Sequence, residues 1–533
     1  MQRERLEVDV LIVGAGPAGL TAAHVLKTRL GGETAAGLPR VLVLEKGAEL
    51  GGQVLSGAVV DVSRFPAAWG DEAAWGDLLR PVIRESVWLL TSRSAYRLPW
   101  IPKALRNREC RLTSLGRLTA WMGERCEEVG VDIATGFSGA ELLWDGDRVV
   151  GVRVGDFGVA RDGRPRDDFQ PGPEIRAAVT LLAEGVRGTL AQQAIERCGL
   201  MTGKSYGTYG AGLKELWRPG IPVEPGEVIH TLGYPFSASA FGGAFYYTLA
   251  PDLVSLGVVV EIDSRRPVLD VHALLQRWKE HPFVRRRLTG GTLLKYGARA
   301  LPESGWKASP RPWGEGFLIL GDSAAFLDAS RLKGIHLAVE SGRLGAEVIL
   351  DAWRAGDLSE ERLQSYEDRL NQSPLFQPLR GVEALKGRWM RGLVRCILPD
   401  STAGRASARR EKDERSAASG GEGMAEAACG LTQDRTTSVG FAGIVYREDQ
   451  PSHISISDPD VCRRRCRVEF GNPCRWFCPG GVFHVTVRSE GSVQVELEPG
   501  NCLHCKICEV TDPYGVVRWR PPEGGSGPRW LSM

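Results

Sequence analysis

The sequence predicts an α/β chain that opens on a Rossmann-like dinucleotide fold and closes on a separate cysteine-rich module. Three observations carry this. A short, β-branched apolar run, Val8 to Val13, leads straight into Gly14-x-Gly16-x-x-Gly19. A second apolar strand, Phe317 to Leu320, leads into Gly321-Asp322. Of the 12 cysteines, all those after Cys429 fall between Cys462 and Cys508.

Composition sets the bounds. A chain of 533 residues suggests roughly three or four domains or subdomains. Lys+Arg (67) and Asp+Glu (65) nearly cancel, leaving +2. That excludes a strongly basic nucleic-acid reader as a description of the whole chain. Hydrophobic content of 43% is enough to bury a large core. The cysteines are too sparse for a small disulfide scaffold. In a reducing compartment, a local cluster of them means metal more often than disulfide. No window approaches about 18 consecutive apolar residues, so a spanning helix is not expected. The charged stretch Met1 to Glu7 leaves no room for a signal or transit peptide before the first strand.

The first element reads as a buried parallel strand, because its apolar run is continuous rather than alternating. Helical character follows from Leu20 to Leu30. A Gly-rich insert, Gly31 to Pro39, precedes a second strand, Val41 to Leu44, that ends in Glu45. Together these make a βαβ unit. Gly14 permits the tight turn, Gly16 lets the backbone approach a pyrophosphate, and Gly19 lets helix and strand pack closely. The helix N-terminus points free N–H groups at the phosphates. Glu45 is placed to accept hydrogen bonds from ribose hydroxyls. The insert accounts for its greater than usual distance from the motif.

The middle of the chain, to about Lys307, mixes strands and helices, with turns at Pro171-Gly172, Pro219-Gly220 and Pro225-Gly226. Gly321-Asp322 resembles the second FAD motif of two-dinucleotide-fold flavoproteins. That resemblance implies that Asp322 holds the ribityl chain and that the helix opening at Gly334 faces the pyrophosphate. Taken alone, Asp322 reads equally as a helix N-cap. The two motifs together select FAD over NAD.

Residues 374 to 400 mix basic and apolar side chains, which suits an amphipathic helix lying in a membrane interface or a surface helix packed on the core. Residues 401 to 430 form a linker of Ser, Ala, Gly, Arg and Glu without periodicity. Beyond it, Cys502-x-x-Cys505-x-x-Cys508 can wrap three corners of a cubane, and Cys478-Pro479 supplies the fourth. In the two-cluster ferredoxin register the next thiolate would fall at Asp512. The upstream run would need cysteines where Val468 and Gly471 stand. One [4Fe–4S] cluster on Cys478, Cys502, Cys505 and Cys508 is therefore expected, with structural zinc as the competing use. Cys462, Cys466 and Cys474 read as buried or free thiols ahead of the alternative, a zinc or second cluster site with Asp512.

With FAD motifs at one end and a ferredoxin module at the other, the chain resembles the electron transfer flavoprotein–ubiquinone oxidoreductases. The segments that carry the likeness include Gly51 to Ala58, Tyr209 to Trp217, Phe241 to Tyr247, Tyr296 to Leu301, Lys333 to His336, Glu448 to His453, Cys478 to Phe483 and Asn501 to Cys508. It implies an FAD domain from 1–60, 100–215 and 296–373. A quinone-binding α+β domain would be inserted at 61–99 and 216–295, and a ferredoxin-like domain would span 431–533. It places Ser56 and Gly57 near the flavin, and Gly242 and Gly243 at the quinone head-group. Paired glycines beside aromatics allow close approach to a flat ring, though a strand bulge uses the same pair.

The implied activity is an electron relay from reduced electron transfer flavoprotein, through the cluster and FAD, to ubiquinone or menaquinone. The chemistry belongs to the cofactors, so no catalytic acid or base is expected. His336 and His504 read as core or solvated histidines. The implied setting is peripheral, on the cytoplasmic face of a bacterial inner membrane. An isoprenoid (geranylgeranyl-type) reductase and a non-catalytic electron-transfer subunit are the alternatives. The sequence departs from mitochondrial members, which tend to have Gly-Cys-Ser where Gly321-Asp322-Ser323 stands. Its 374–399 segment is also less apolar, and it carries the extra cysteines.

Overall fold

The computed structural model describes residues 3–29, 39–63, 65–66, 69–70, 72–205, 207–236, 241–263, 267–381, 430–487 and 493–533. The opening strand, Arg5–Val13, is the centre of an eight-stranded sheet. It pairs in parallel with Val41–Glu45 on one side and Glu174–Leu182 on the other, in the registers Val10↔Val41 and Val10↔Val179. Asp132–Thr135 and Phe317–Ile319 extend the parallel run. Val10, Leu11 and Ile12 are wholly buried. Both faces of the strand are covered, which is why its sequence does not alternate.

The helix Pro17–Arg29 packs against the long helix Ile335–Ala355. Their contact needs Gly342, where a Cβ would clash with the Ala18 carbonyl oxygen. Gly19 is required in the same way by the Gly14 carbonyl.

The second sheet has seven strands in the order Thr292–Pro302, Tyr209–Arg218, Leu253–Ile262, Gly242–Ala250, Glu227–Gly233, Arg84–Leu90 and Ala95–Arg97. All neighbours are antiparallel except Glu227–Gly233 with Arg84–Leu90. The helices Val271–Glu280 and Pro282–Leu288 supply Trp278, Phe283 and Leu288 to its core. Within that core the Lys279 ammonium lies 2.9 Å from Glu215, with both side chains fully buried. The Trp217 indole also donates to Glu215, at 2.7 Å. Domain boundaries at 215/216 and 295/296 therefore cut through two strands of this sheet, which runs unbroken from Tyr209 to Arg218 and from Thr292 to Pro302.

The last hundred residues form short helices and two antiparallel strand pairs, Ile454–Ile456 with Val517–Trp519 and Phe483–Val487 with Val493–Leu497. This module docks through the backbone. Ala300 N–H donates to the Cys505 carbonyl (2.8 Å), Trp530 N–H to Gly52 (2.7 Å), and the Trp530 indole to Tyr296 (3.1 Å).

The expectation of an interfacial helix at 374–400 changes where the structure reaches it. Pro374–Gly381 is a 3₁₀ turn whose Phe376 and Leu379 are buried in the first domain's core, Phe376 edge-on to Phe326. Those two apolar side chains face protein rather than lipid. Residues 382 to 400 and the expected linker up to 429 lie outside the described residues, as does most of the insert at 31–39. Among the described residues, no helix is long and apolar enough to cross a membrane.

Candidate functional site

One cavity of about 630 Å³ lies between the two sheets. It is lined by Gly14, Gly16, Glu45, Ser56, Gly57, Gly321, Asp322 and Gly334 from the dinucleotide side, and by Gly242 and Gly243 from the second sheet. Gly19 lies beneath, in the strand–helix contact.

The strand ends explain the placement. Gly14 takes φ +107°, and a Cβ there would clash with the Ala183 carbonyl oxygen. Gly16 differs, because a Cβ would meet nothing within 4 Å, so its open side faces the cavity. The Glu45 carboxylate accepts from Ala15 N–H (3.1 Å) and Gly47 N–H (2.7 Å), which fixes it beside the glycine turn. Gly321, at φ +58°, turns the chain after Phe317–Ile319. Asp322 follows, half-buried on the cavity wall. Burial raises its carboxyl to about 6, against the opposing pull of the Arg299 guanidinium. Gly334 caps the start of Ile335–Ala355, and a Cβ on it would sit 3.4 Å from Asp322 Oδ1. A helix start, an acidic strand end and a glycine turn thus converge as a dinucleotide requires.

Ser56 Oγ accepts from Ala58 N–H (3.0 Å), and its carbonyl accepts from the Lys214 ammonium (2.9 Å). Gly57 has open space where a Cβ would point. At the far end of the cavity Gly242 and Gly243 begin the strand Gly242–Ala250. A Cβ on Gly242 would press on the Val259 carbonyl at 2.8 Å, and one on Gly243 on Thr231 at 3.1 Å. Close strand packing therefore accounts for the pair as well as ligand approach does. The surrounding wall is apolar and aromatic: Leu232, Tyr234, Phe236 and Phe245, with Phe245 stacked on Tyr247. His230 contacts Tyr247 Oη at 2.8 Å, and burial lowers its pKa to about 3, so the imidazole is neutral.

Sequence reasoning singled out no role for Lys46, Gln53, Lys214 or Arg299. Lys46 follows Glu45, bonds Gln53 Oε1 and reaches His504 Nδ1 at 3.4 Å; burial lowers its pKa to about 8. Burial takes Lys214 to about 7. Arg299 faces Asp322, Cys505 and Glu45. The only signal for the three cations was a charge within or just after an apolar strand, and Gln53, in a turn, gave none. His336 and His504 are buried, as core histidines, not solvated.

Cys478, Cys502, Cys505 and Cys508 are all buried, and each of the last three senses the charge of Cys478. Val482 N–H points at Cys478 Sγ (3.5 Å) and His504 N–H at Cys502 Sγ (3.4 Å). His504 and Lys506 sit at φ +52° and +64°. Such left-handed residues cost roughly 1–2 kcal/mol each, and here they curl the loop around its thiols. Four thiols raised by burial and gathered close enough for Cys502, Cys505 and Cys508 to sense Cys478, with N–H groups aimed at sulfur, fit an iron–sulfur cluster. Among the described residues, the His/Cys/Asp/Glu group whose ligand atoms all lie within 4.8 Å of one another is His453, Cys502 and His504. Its histidines pack in a ring cluster with Tyr446 and Trp519.

The dinucleotide cleft, the second sheet and the thiol-lined module define a flavin-dependent oxidoreductase with a fused ferredoxin-type domain. Family models agree with each part. A Rossmann-like NAD(P)-binding domain matches residues 12–77, an ETF-QO ubiquinone-binding domain 209–301, and an electron transfer flavoprotein–ubiquinone oxidoreductase 4Fe-4S domain 429–531. Electron transfer flavoprotein–ubiquinone oxidoreductase from Pseudomonas aeruginosa is 34% identical, with all of both chains covered. The mitochondrial protein of Arabidopsis thaliana is 35% identical over all of this chain and 85% of its own. The chain belongs to the electron transfer flavoprotein–ubiquinone oxidoreductase family, and its cofactors are FAD and a [4Fe–4S] cluster. A geranylgeranyl bacteriochlorophyll reductase-like structure from Thermoplasma acidophilum shares the fold (TM-score 0.53, 17% identity, 72% of this chain and 87% of that one). The likeness is in fold alone, and the isoprenoid-reductase alternative is not favoured.

Proposed function

We propose that this chain accepts electrons from reduced electron transfer flavoprotein at its ferredoxin module and delivers them to a quinone beside Gly242 and Gly243. The observation that carries the reading is the shared wall. Arg299 and Lys46 line the flavin cavity and also face Cys505 and Cys502 respectively, while the same cavity continues to the aromatic end of the second sheet. When bound, FAD holds one or two electrons and the cluster carries one at a time, which reconciles a one-electron donor with a two-electron acceptor.

The protein's own part is positioning. Gly14, Gly16 and Gly334 would admit the pyrophosphate, Glu45 the ribose and Asp322 the ribityl chain. Ser56 and Gly57 would border the flavin ring. Cys478, Cys502, Cys505 and Cys508 would hold the cluster. Arg299 and Lys46 place positive charge between the two centres, where added electrons are stabilised. The apolar wall around Gly242 and Gly243 suits a quinone ring, ubiquinone or menaquinone.

Membrane attachment would be peripheral, on the cytoplasmic face. Beside the cavity residues Leu89 to Thr91 the hairpin leaves Tyr96 and Trp100 58% exposed among Arg93, Arg97 and Lys103. Aromatic and basic groups together suit the lipid interface. The test mixes anaerobic holoprotein, reduced electron transfer flavoprotein and short-chain ubiquinone or menaquinone. Quinol formation that requires the holoprotein is expected; none with either quinone overturns the reading.

A further inference from the structure

Cys462, Cys466 and Cys474 have no place in the site above, yet the fold gathers them. All three are buried and line one small cavity with Asp512, Asn472 and Phe477. The chain makes a special effort to bring them there. Cys462 and Cys466 open and close a single π-helical turn, Cys462–Cys466, a rare wide turn that often marks functional sites. The next helix ends at Gly471 (φ +66°), and Asn472 (φ +54°) then reverses the chain. The Asn472 side chain ties back to the Cys462 carbonyl at 2.9 Å, which delivers Cys474 to the same cavity. Thiols buried only as small apolar residues would need none of this.

We propose that Cys462, Cys466 and Cys474 hold a second iron–sulfur cluster, of the kind attached by three thiolates. The fourth corner is the reason for that kind. In a two-cluster ferredoxin the thiolate following the Cys502–Cys508 triplet would complete the second cluster. Asp512 stands at that point, and its carboxylate is already occupied by the N–H groups of Tyr514, Val516 and Val517. Cys474 stands toward this cavity as its neighbour Cys478 stands toward the first thiol group, so one short helix, Cys474–Phe477, feeds both sites.

Register favours a cluster over a single ion: Cys474-x3-Cys478-Pro479 is the end of a ferredoxin run rather than a paired Cys-x2-Cys knuckle. The three sulfurs are also not among the groups whose ligand atoms all lie within 4.8 Å of one another.

The test uses full-length holoprotein purified without air. Iron, acid-labile sulfide and zinc are counted per flavin, and paramagnetic resonance is recorded before and after reduction. About seven irons per flavin are expected rather than about four, with a signal in the oxidised protein, where a [4Fe–4S] cluster is silent. Cys466→Ser with Cys474→Ser should remove the oxidised-state signal and about three irons while leaving the reduced-state signal of the first cluster. That retained signal shows that the variant folds, and the wild-type count stands if it does not. About four irons with no oxidised-state signal, or stoichiometric zinc instead, overturns the proposal. The first cluster's assignment survives either failure.

Discussion

At the residue scale, two glycines of one motif should fail differently. A side chain at Gly14 collides with backbone, whereas one at Gly16 enters open cavity. Gly16→Val should give folded protein whose flavin content falls at least tenfold, and Gly14→Val should lose soluble protein altogether. Absorbance at the flavin band per protein, beside circular dichroism, separates the outcomes.

Asp322 gives a pH signature. Burial raises its carboxyl in the flavin-free fold, so between about pH 4 and 6 the folded state keeps a proton that the unfolded state has released. Its contribution is complete below that window and declines as pH rises through it. Asp322→Asn removes the titration. Its melting temperature relative to wild type should therefore climb between about pH 4 and 6.5 and then level off. A flat difference would contradict the burial argument. The glycines and Asp322 were legible in the sequence because spacing and strand context define them. Arg299, Lys46 and Lys214 were not, because a lone cation beside or within a strand reads as surface until the fold encloses it.

At the element scale, the helix Val271–Glu280 makes two contacts worth testing. Its Lys279 is paired with Glu215, both side chains fully buried. Lys279→Met strands a buried carboxylate and should cost about 3–5 kcal/mol in denaturant unfolding, and Lys279→Met with Glu215→Leu should recover most of it. Its His272 lies 3.1 Å from Ser438 Oγ of the docked module, facing Arg435, Asp270, Asp434 and Lys279. Burial lowers His272 to about 4. The unfolded chain therefore takes up the proton first, and stability present above about pH 6.5 is lost on acidification towards 4. Up to about 3 kcal/mol is involved. His272→Gln should flatten that part of the stability–pH curve, and an unchanged curve would contradict it.

The βαβ unit, the late strand at Phe317 and the long helix after Gly334 were legible because their apolar runs have the period of their elements. The second sheet's edges were not. The strands Tyr209–Arg218 and Thr292–Pro302 carry charged residues buried by tertiary pairing, which blurs a boundary drawn from sequence. The convergence of Cys462, Cys466 and Cys474 depends on one π turn and one left-handed Asn, neither of which has a sequence period.

At the scale of the whole molecule, three parts share one continuous interior. The Cys502–Cys508 loop rests on the strand Thr292–Pro302, that strand lines the cavity between the sheets, and the cavity runs on to Gly242 and Gly243. The chain from Trp530 to Met533 locks the arrangement: Trp530 is buried against Tyr296, and Ser114 Oγ donates to the Met533 carbonyl at 2.8 Å. The two ends of the relay were legible in the sequence as motifs. Their adjacency was not, since it rests on backbone contacts between residues some two hundred positions apart, such as Ala300 and Cys505.

The central claim is that electrons cross this interior from the thiol-held centre to the quinone end. It is tested most directly by single-turnover mixing of reduced electron transfer flavoprotein and short-chain ubiquinone with wild type and with flavin-replete Cys505→Ser. Wild type should yield quinol, and the variant should bind FAD normally yet form quinol at least a hundredfold more slowly. Equal rates in the two proteins would contradict the account.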